Sequence, residues 1–364
     1  MRRAAHLLRL LGLWLAAAAL LGCAGAGREQ APLPAGDPAA PLPERLHDTG
    51  LYAAARTVRT GVLGFTPQYP LWSDGAEKRR WIYLPPGSAI DASKPDAWEF
   101  PLGTRLWKEF AVQGRPVETR FIERLRDGSW RFATYVWNAE GTEARLAPAR
   151  GARVGRYAVP SRGDCFACHG SAPAPVLGFA ALQLSTERDP LAAGAQAPGP
   201  RDLDLRVLVE RGLLRGLPQG LARQPPRIAA VSPLERAALG SLHGNCAHCH
   251  NTSANRVPLK LTLAQRVAEP ALSRDEVLRS VVDVVARYQP AGRSDARIVA
   301  AGHPEASLLV QRMASRDPRQ QMPPLGTERP DYEGLALVQR WIASDLATTK
   351  PATTKPATTK EQQP

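Results

Sequence analysis

A chain of 364 residues, 44% of them hydrophobic, is long enough for two or three domains with cores of their own, which excludes a wholly disordered protein. Its formal net charge of +13 raises nucleic acid as a partner, yet the Arg residues are scattered and no run of five or six basic residues occurs. Together with the export signal described next, this excludes nucleic acid and leaves anionic lipid, an acidic protein or simple solvation as the use of the charge.

Arg2, Arg3 and Arg9 precede an apolar run from Leu10 to Leu21, shorter than the ~20 residues of a membrane span. Residues 1–22 therefore read as a secretory signal. Leu20-Leu21-Gly22-Cys23 resembles the lipobox of bacterial lipoproteins, so Cys23 is expected to carry lipid and become the new N-terminus. The expected location is the periplasmic face of the cell envelope, anchored by that lipid, at the outer membrane. Removing the leader takes three Arg with it and leaves +10 of the +13.

Residues 23–44 are rich in Ala, Gly and Pro and read as a tether. Residues 45–160 read as a β-rich domain. Its clearest signal is Asp127-Gly128 between the extended runs Pro116–Arg126 and Ser129–Asn138, a hairpin. In the second run Trp130, Phe132, Thr134 and Val136 share one face, with Tyr135 and Trp137 on the other. Six of the eight tryptophans lie between Trp72 and Trp137 and read as filling of a β core, with shielding of a ligand as the functional alternative. Asp74, Lys78 and Arg80 read as an ion-pair network in a loop.

Residues 161–230 hold short apolar segments between Pro and Gly, with one possible short helix at Arg206–Leu214. From Ser232 on the pattern turns helical. Ser232-Pro233-Leu234-Glu235 is a capping box that opens a helix running toward His243. A second box at Ser273-Arg274-Asp275-Glu276 predicts a helix with Val277, Val281, Val284, Val285 and Tyr288 along one stripe. Pro304 starts another helix, with Leu308, Leu309 and Met313 on one face. The last begins near Asp331 and buries Leu335, Val338, Trp341, Ile342 and Leu346. Residues 348–364 repeat a five-residue unit and read as a disordered tail. The fold class expected is multidomain α+β: a β-rich N-terminal domain, a middle module over 161–230, and an all-α module over 231–347.

The haem assignment rests on the cysteines. Besides Cys23 there are four, in Cys165-Phe166-Ala167-Cys168-His169 and Cys246-Ala247-His248-Cys249-His250, and none is left over. Two thiols three positions apart can each form a thioether with a haem vinyl group, and the next residue, His169 or His250, then reaches the iron as proximal ligand. A shared zinc site asks for pairs about 15–20 residues apart, whereas Cys168 and Cys246 are 78 positions apart. Disulfides within each pair suit an oxidising compartment but leave both adjacent histidines unexplained. Two haem c, with their iron, are the expected cofactors.

Met322, in Gln321-Met322-Pro323-Pro324-Leu325-Gly326, resembles the axial-Met loop of class I cytochromes c and is expected as distal ligand of the second iron. Met313 reads as core. That leaves no methionine for the first haem, whose sixth position is vacant, filled by a histidine or taken by an unusual ligand. His47, His243, His248 and His303 are the histidines to choose from, with His243 the leading candidate. Arg162 is close enough in sequence to pair with a propionate. Met/His ligation raises a haem's potential, so electrons are expected to run from the first haem to the second.

The segment Phe65-Thr66-Pro67-Gln68-Tyr69-Pro70-Leu71-Trp72-Ser73-Asp74-Gly75-Ala76, with Phe100–Thr104, Trp107–Phe110, Val117–Arg120, Val159–Arg162 and Leu242–Asn245, resembles a functionally unassigned family of bacterial di-haem c-type cytochromes. The departure from its pattern is Gly244, where an alanine is more usual. The C-terminal part is similar to class I cytochrome c. The resemblance implies two haem c, a periplasmic setting and redox protein partners, in some relatives a quinoprotein dehydrogenase. The activity expected is electron transfer from an exported dehydrogenase to a downstream cytochrome or oxidase. The alternative is a di-haem peroxidase or oxygenase working at an open position on the first iron.

Overall fold

Alternating side chains over residues 62–146 give a meander. β1 (Val62–Gly64), β2 (Glu77–Tyr83), β3 (Arg105–Val112), β4 (Arg115–Arg124), β5 (Trp130–Trp137) and β6 (Ala144–Leu146) pair antiparallel, in that order, into one six-stranded sheet. The computed structural model describes residues 30–253 and 260–347. The signal, Cys23 and the C-terminal tail lie outside the described residues. Gln113 and Gly114 join β3 to β4 with φ of 52° and 73°, the left-handed pair that matches strand twist in a two-residue hairpin. In the turn from β4 to β5, Asp127 accepts from the Ser129 amide at 2.9 Å and Gly128 takes φ 83°, as its sequence predicts.

The two sheet faces do different work. On one, Trp107, Phe121, Tyr135 and Trp137 are buried. The Trp107 indole N–H donates to Thr49 at 2.8 Å and the Tyr135 hydroxyl to the Pro43 carbonyl at 2.9 Å. The other face carries Ile82, Leu106, Ile122 and Phe132 in one cross-strand row and Arg80, Lys108, Arg120 and Thr134 in the next.

Chain from Pro34 onward lies along this sheet. Arg105 donates to the Pro34 carbonyl at 2.8 Å and Arg131 to that of Ala40 at 2.9 Å. A proline-rich stretch forms no ladder of its own, so its carbonyls are left for side-chain donors. The expected tether is therefore corrected: 34–44 is docked strap.

Besides a five-residue helix at Gln219–Arg223, six helices follow among the described residues: α1 (Arg162–His169), α2 (Leu205–Glu210), α3 (Pro233–Cys246), α4 (Pro270–Val281), α5 (Leu308–Ala314) and α6 (Tyr332–Ser344). Ser232 caps α3 by accepting from the Glu235 amide at 2.9 Å, and Asp331 caps α6 by accepting from Gly334 at 3.0 Å. α1 is closed by a full capping box between Ser161 and Asp164. The second expected box is displaced: α4 starts at Pro270, and the Ser273 hydroxyl sits inside it, donating to the Pro270 carbonyl at 3.1 Å. Its apolar stripe also stops early. Val282 and Val285 are extended and bridge to Val299 and Arg297. Four valines in five positions favour extended backbone, and Asp283 breaks the helix with φ 55°.

One buried apolar cluster includes Ile82 and Phe100, Phe179 and Leu205, and Val277 and Trp341. The segments 45–160, 161–230 and 231–347 thus share a core, because the middle one forms too little regular structure to bury Phe179, Leu182, Leu184 and Leu203 by itself. Pro34–Pro364 is accordingly one compact unit; of the other, Met1–Leu33, residues 30–33 are described and have no regular structure. Among the described residues no helix is long and apolar enough to cross a membrane.

Candidate functional site

Each C-x-x-C-H motif lines its own cleft. The first, about 420 Å³, is walled by the second sheet face, α1 and the loop after it, and α3; Cys165, Cys168 and His169 all face it. The second, about 590 Å³, is lined by Cys246, Cys249 and His250, by Leu308, Leu309 and Met313 of the α5 region, and by Met322-Pro323-Pro324. Both volumes fall in the range of roughly 300–1,000 Å³ usual for cofactor sites.

His169 is oriented from behind. Its Nδ1 meets the Pro175 carbonyl at 2.6 Å, and its ring lies 5.1 Å from that of Phe132 on β5. A carbonyl can only accept, so Nδ1 holds the proton and the Nε2 lone pair is free for a metal. Burial pulls its pKa down to about 4, which keeps the ring neutral at neutral pH. The run Ser171-Ala172-Pro173-Ala174-Pro175 is the sequence signal for this partner, since proline-rich turns leave carbonyls unpaired.

His243 also faces the first cleft, but its ring is set the other way. Its Nδ1 accepts from the Gln265 amide at 3.1 Å. Burial holds its pKa at about 4, so the neutral ring carries its proton on Nε2. As placed, His243 offers the cleft a hydrogen-bond donor rather than a lone pair. His47 and His303 stand at the surface beside Asp48 and Glu305, and His248 lines both clefts. Arg162 is exposed at the first turn of α1 and is not among the residues lining the first cleft.

In the second cleft His250 has a buried Nδ1 without a hydrogen-bond partner. The Met322 amide donates to the Arg312 carbonyl at 2.9 Å, which ties the Met-Pro-Pro loop to α5. Met313 and Met322 both face this cleft, so position alone does not separate them.

The clefts adjoin. Cys168 lines both, and in the second it faces the same space as Cys249, near enough for each thiol to act on the other's protonation. Interaction with Cys168 and His248 pulls the Cys249 thiol down, while Cys168 is pushed up. Trp72 lines both clefts as well; its amide donates to Asn245 at 2.7 Å and its indole N–H to the Arg329 carbonyl at 3.0 Å. The segment from Phe65 to Ser73 is thus a strap across α3. The Tyr69 ring lies over Gly240, and the Tyr69 carbonyl lies over Gly244, where an added Cβ would come within 2.5 Å of it. This close approach is what requires glycine at 244.

Sequence reasoning missed the basic row of the sheet. Arg80, Lys108 and Arg120 stand directly opposite one another on β2, β3 and β4, and all three line the first cleft. The expected network of Asp74, Lys78 and Arg80 does not form. Asp74 accepts from the amides of Glu328 and Arg329 at 3.0 Å, and Lys78 donates to the Leu71 carbonyl at 2.8 Å. The available signal was charge at alternate positions of otherwise apolar strands, which here marks the face toward the cleft.

Among the described residues no three His, Cys, Asp or Glu side chains converge as a cage for a bare metal ion. An iron held by a porphyrin asks for less: two thiols and one or two axial ligands. Each cleft has that set, with His169 fixed in the ligating tautomer, so the residues present fit the group. Comparison with known proteins adds no relative: no family model matches this chain, and neither does any curated protein or solved structure.

Proposed function

We propose that this protein is a di-haem c-type cytochrome that carries electrons in the bacterial cell envelope, from an exported dehydrogenase to a downstream cytochrome or oxidase. The observation that carries the reading is the pairing of each Cys-x-x-Cys-His motif with its own cleft, and the contact of the two clefts at Cys168 and Cys249. Haem supplies a one-electron couple, and covalent attachment retains it outside the cytoplasm. The chain's part is to bind by four thioethers, to orient His169 through Pro175, and to exclude water with Trp72 and the apolar walls. Met322 is the distal ligand we assign to the second iron, in a helical region of class I cytochrome c type built from α3 to α6. Cys23 would carry the lipid anchor, and a quinoprotein dehydrogenase is the donor class the family resemblance favours. Intact mass of the mature, denatured protein tests the cofactor: two covalently held tetrapyrroles are expected, and pigment released by acidified solvent overturns the proposal.

A second reading, a peroxidase or oxygenase, is favoured by one observation. His243 turns a donor, not a lone pair, toward the first cleft. A high-spin first haem with turnover of peroxide supports that reading; two low-spin ferric signals in low-temperature EPR count against it.

A further inference from the structure

Three cations in direct cross-strand register need an explanation. Like charges facing across neighbouring strands destabilise a sheet, and a buried cation without a partner costs more still. Arg80 is 7% exposed, and its Nη2 is buried with no hydrogen-bond partner. Asp202, the acidic group whose charge acts on it, is occupied by the Thr66 hydroxyl at 2.6 Å and the Gly199 amide at 3.0 Å. Lys108 is half-buried, with its ammonium 4.8 Å over the Phe110 ring and no hydrogen bond to a described residue. The remaining basic groups of the cleft wall are taken. Arg120 bonds Glu118 at 2.6 Å, and Glu118 also accepts from Tyr157 at 2.8 Å. Arg266 bonds Glu276 at 2.6 Å.

We propose that Arg80 and Lys108 form a carboxylate-binding cradle on the sheet wall of the first cleft. The inference rests on the di-haem reading in one respect: the propionates of a haem anchored at Cys165 and Cys168 are the nearest source of carboxylates. Such a haem would enter this cleft, and Arg80 and Lys108 are the Arg and Lys of its wall that neither a salt bridge nor a hydrogen bond joins to a carboxylate, although the charges of Asp202 and Glu118 reach them. A free small carboxylate is the other source of the same chemistry. Either way the anion resolves the row. It accepts from the orphaned guanidinium nitrogen and separates the two positive charges, which the fold otherwise holds together at a cost.

The experiment uses the mature protein with Arg80→Gln, Lys108→Gln and Arg80→Lys. Intact mass comes first: if two tetrapyrroles are missing, the functional reading fails while the cradle remains testable by calorimetry with acetate and succinate. In the haem-loaded protein, spectroelectrochemical titration follows each haem separately. Removing a cation beside the propionates disfavours the reduced state. Each Gln variant is therefore expected to weaken reduction of the first haem about tenfold, a fall of about 59 mV for one electron. The second haem should not move, and Arg80→Lys should recover part of the shift. Saturable succinate binding to the wild type, lost in both Gln variants, would instead identify a free carboxylate as the occupant. Should Arg80→Gln fail to fold, Lys108→Gln, on the half-buried wall, decides alone. Unchanged first-haem potential together with no carboxylate binding overturns the cradle.

Discussion

Replacing Gly240 with Ala tests whether the strap over α3 is as tight as described. A Cβ there would lie 2.0 Å from Tyr69 Cε1 and 2.4 Å from Cδ1. Tyr69 cannot easily yield. It is 3% exposed, its amide and carbonyl are both bonded to Gln183, and its hydroxyl donates to Asp189 at 3.1 Å. Forcing a methyl into such a site costs about 1–3 kcal/mol, and loss of the bond to the Asp189 carboxylate costs a further ~1.5–3 kcal/mol. Ala is better than Gly by about 1 kcal/mol in a helix interior, which offsets part of this. The net expectation is a destabilisation of about 2–4 kcal/mol, read from urea denaturation of the full chain. Gly220→Ala is the control. It too is helical, nothing lies within 4 Å of its added Cβ, and it is expected to stabilise slightly. Combining Gly240→Ala with Tyr69→Ala should recover part of the loss, since the two share one contact. A Gly240→Ala protein as stable as the wild type would refute the packing argument.

His243 gives a pH dependence. Its folded pKa of about 4 lies below the ordinary 6.5, so the unfolded chain binds the proton first. Its contribution is complete above pH 6.5 and is lost as pH falls toward 4. For a ring only half-buried this is worth on the order of 1–2 kcal/mol, and His243→Gln should flatten the acid limb of a stability-versus-pH curve by that amount. On the proposed di-haem reading, Met322→His is expected to lower the potential of the haem in the second cleft and abolish its methionine-to-iron absorption band, while Met313→Leu leaves both unchanged; the reverse result would exchange their roles. In haem-free protein, mild oxidation should join Cys168 to Cys249, across the motifs, and peptide mapping that finds only the two within-motif bridges would contradict the contact.

Local signals were legible where chemistry is local. Asp127-Gly128 dictates its turn, and Ser232 and Asp331 dictate their helix starts, because a cap or turn is satisfied within a few residues. The alternation in β5 correctly divided Phe132 from Tyr135, yet gave no way to know that the Phe132 face meets His169, a contact between distant segments. The valines after Val281 match a helical period and an extended one alike, and pairing with Val299 and Arg297 decided between them. Ser273 resembles a cap, but Pro270, three residues earlier, already fits the first helical position. Arg80 and Lys108 look like surface charges in a one-dimensional reading. Only their register across β2 and β3 shows that they share a wall with Cys165. The pairing of His169 with Pro175 was within reach of sequence, whereas that of His243 with Gln265 spans 22 positions and was not.

The strap also governs how the protein can be taken apart. A fragment begun at residue 231, as the helical pattern invites, would lack Tyr69 and Trp72 and expose a furrow along Gly240 and Gly244, with Asn245 stripped of its amide donor. The second motif sits at the end of that same helix. Spectra or potentials measured on such a fragment would describe a wounded helix, and the intact polypeptide is the smallest faithful object of study.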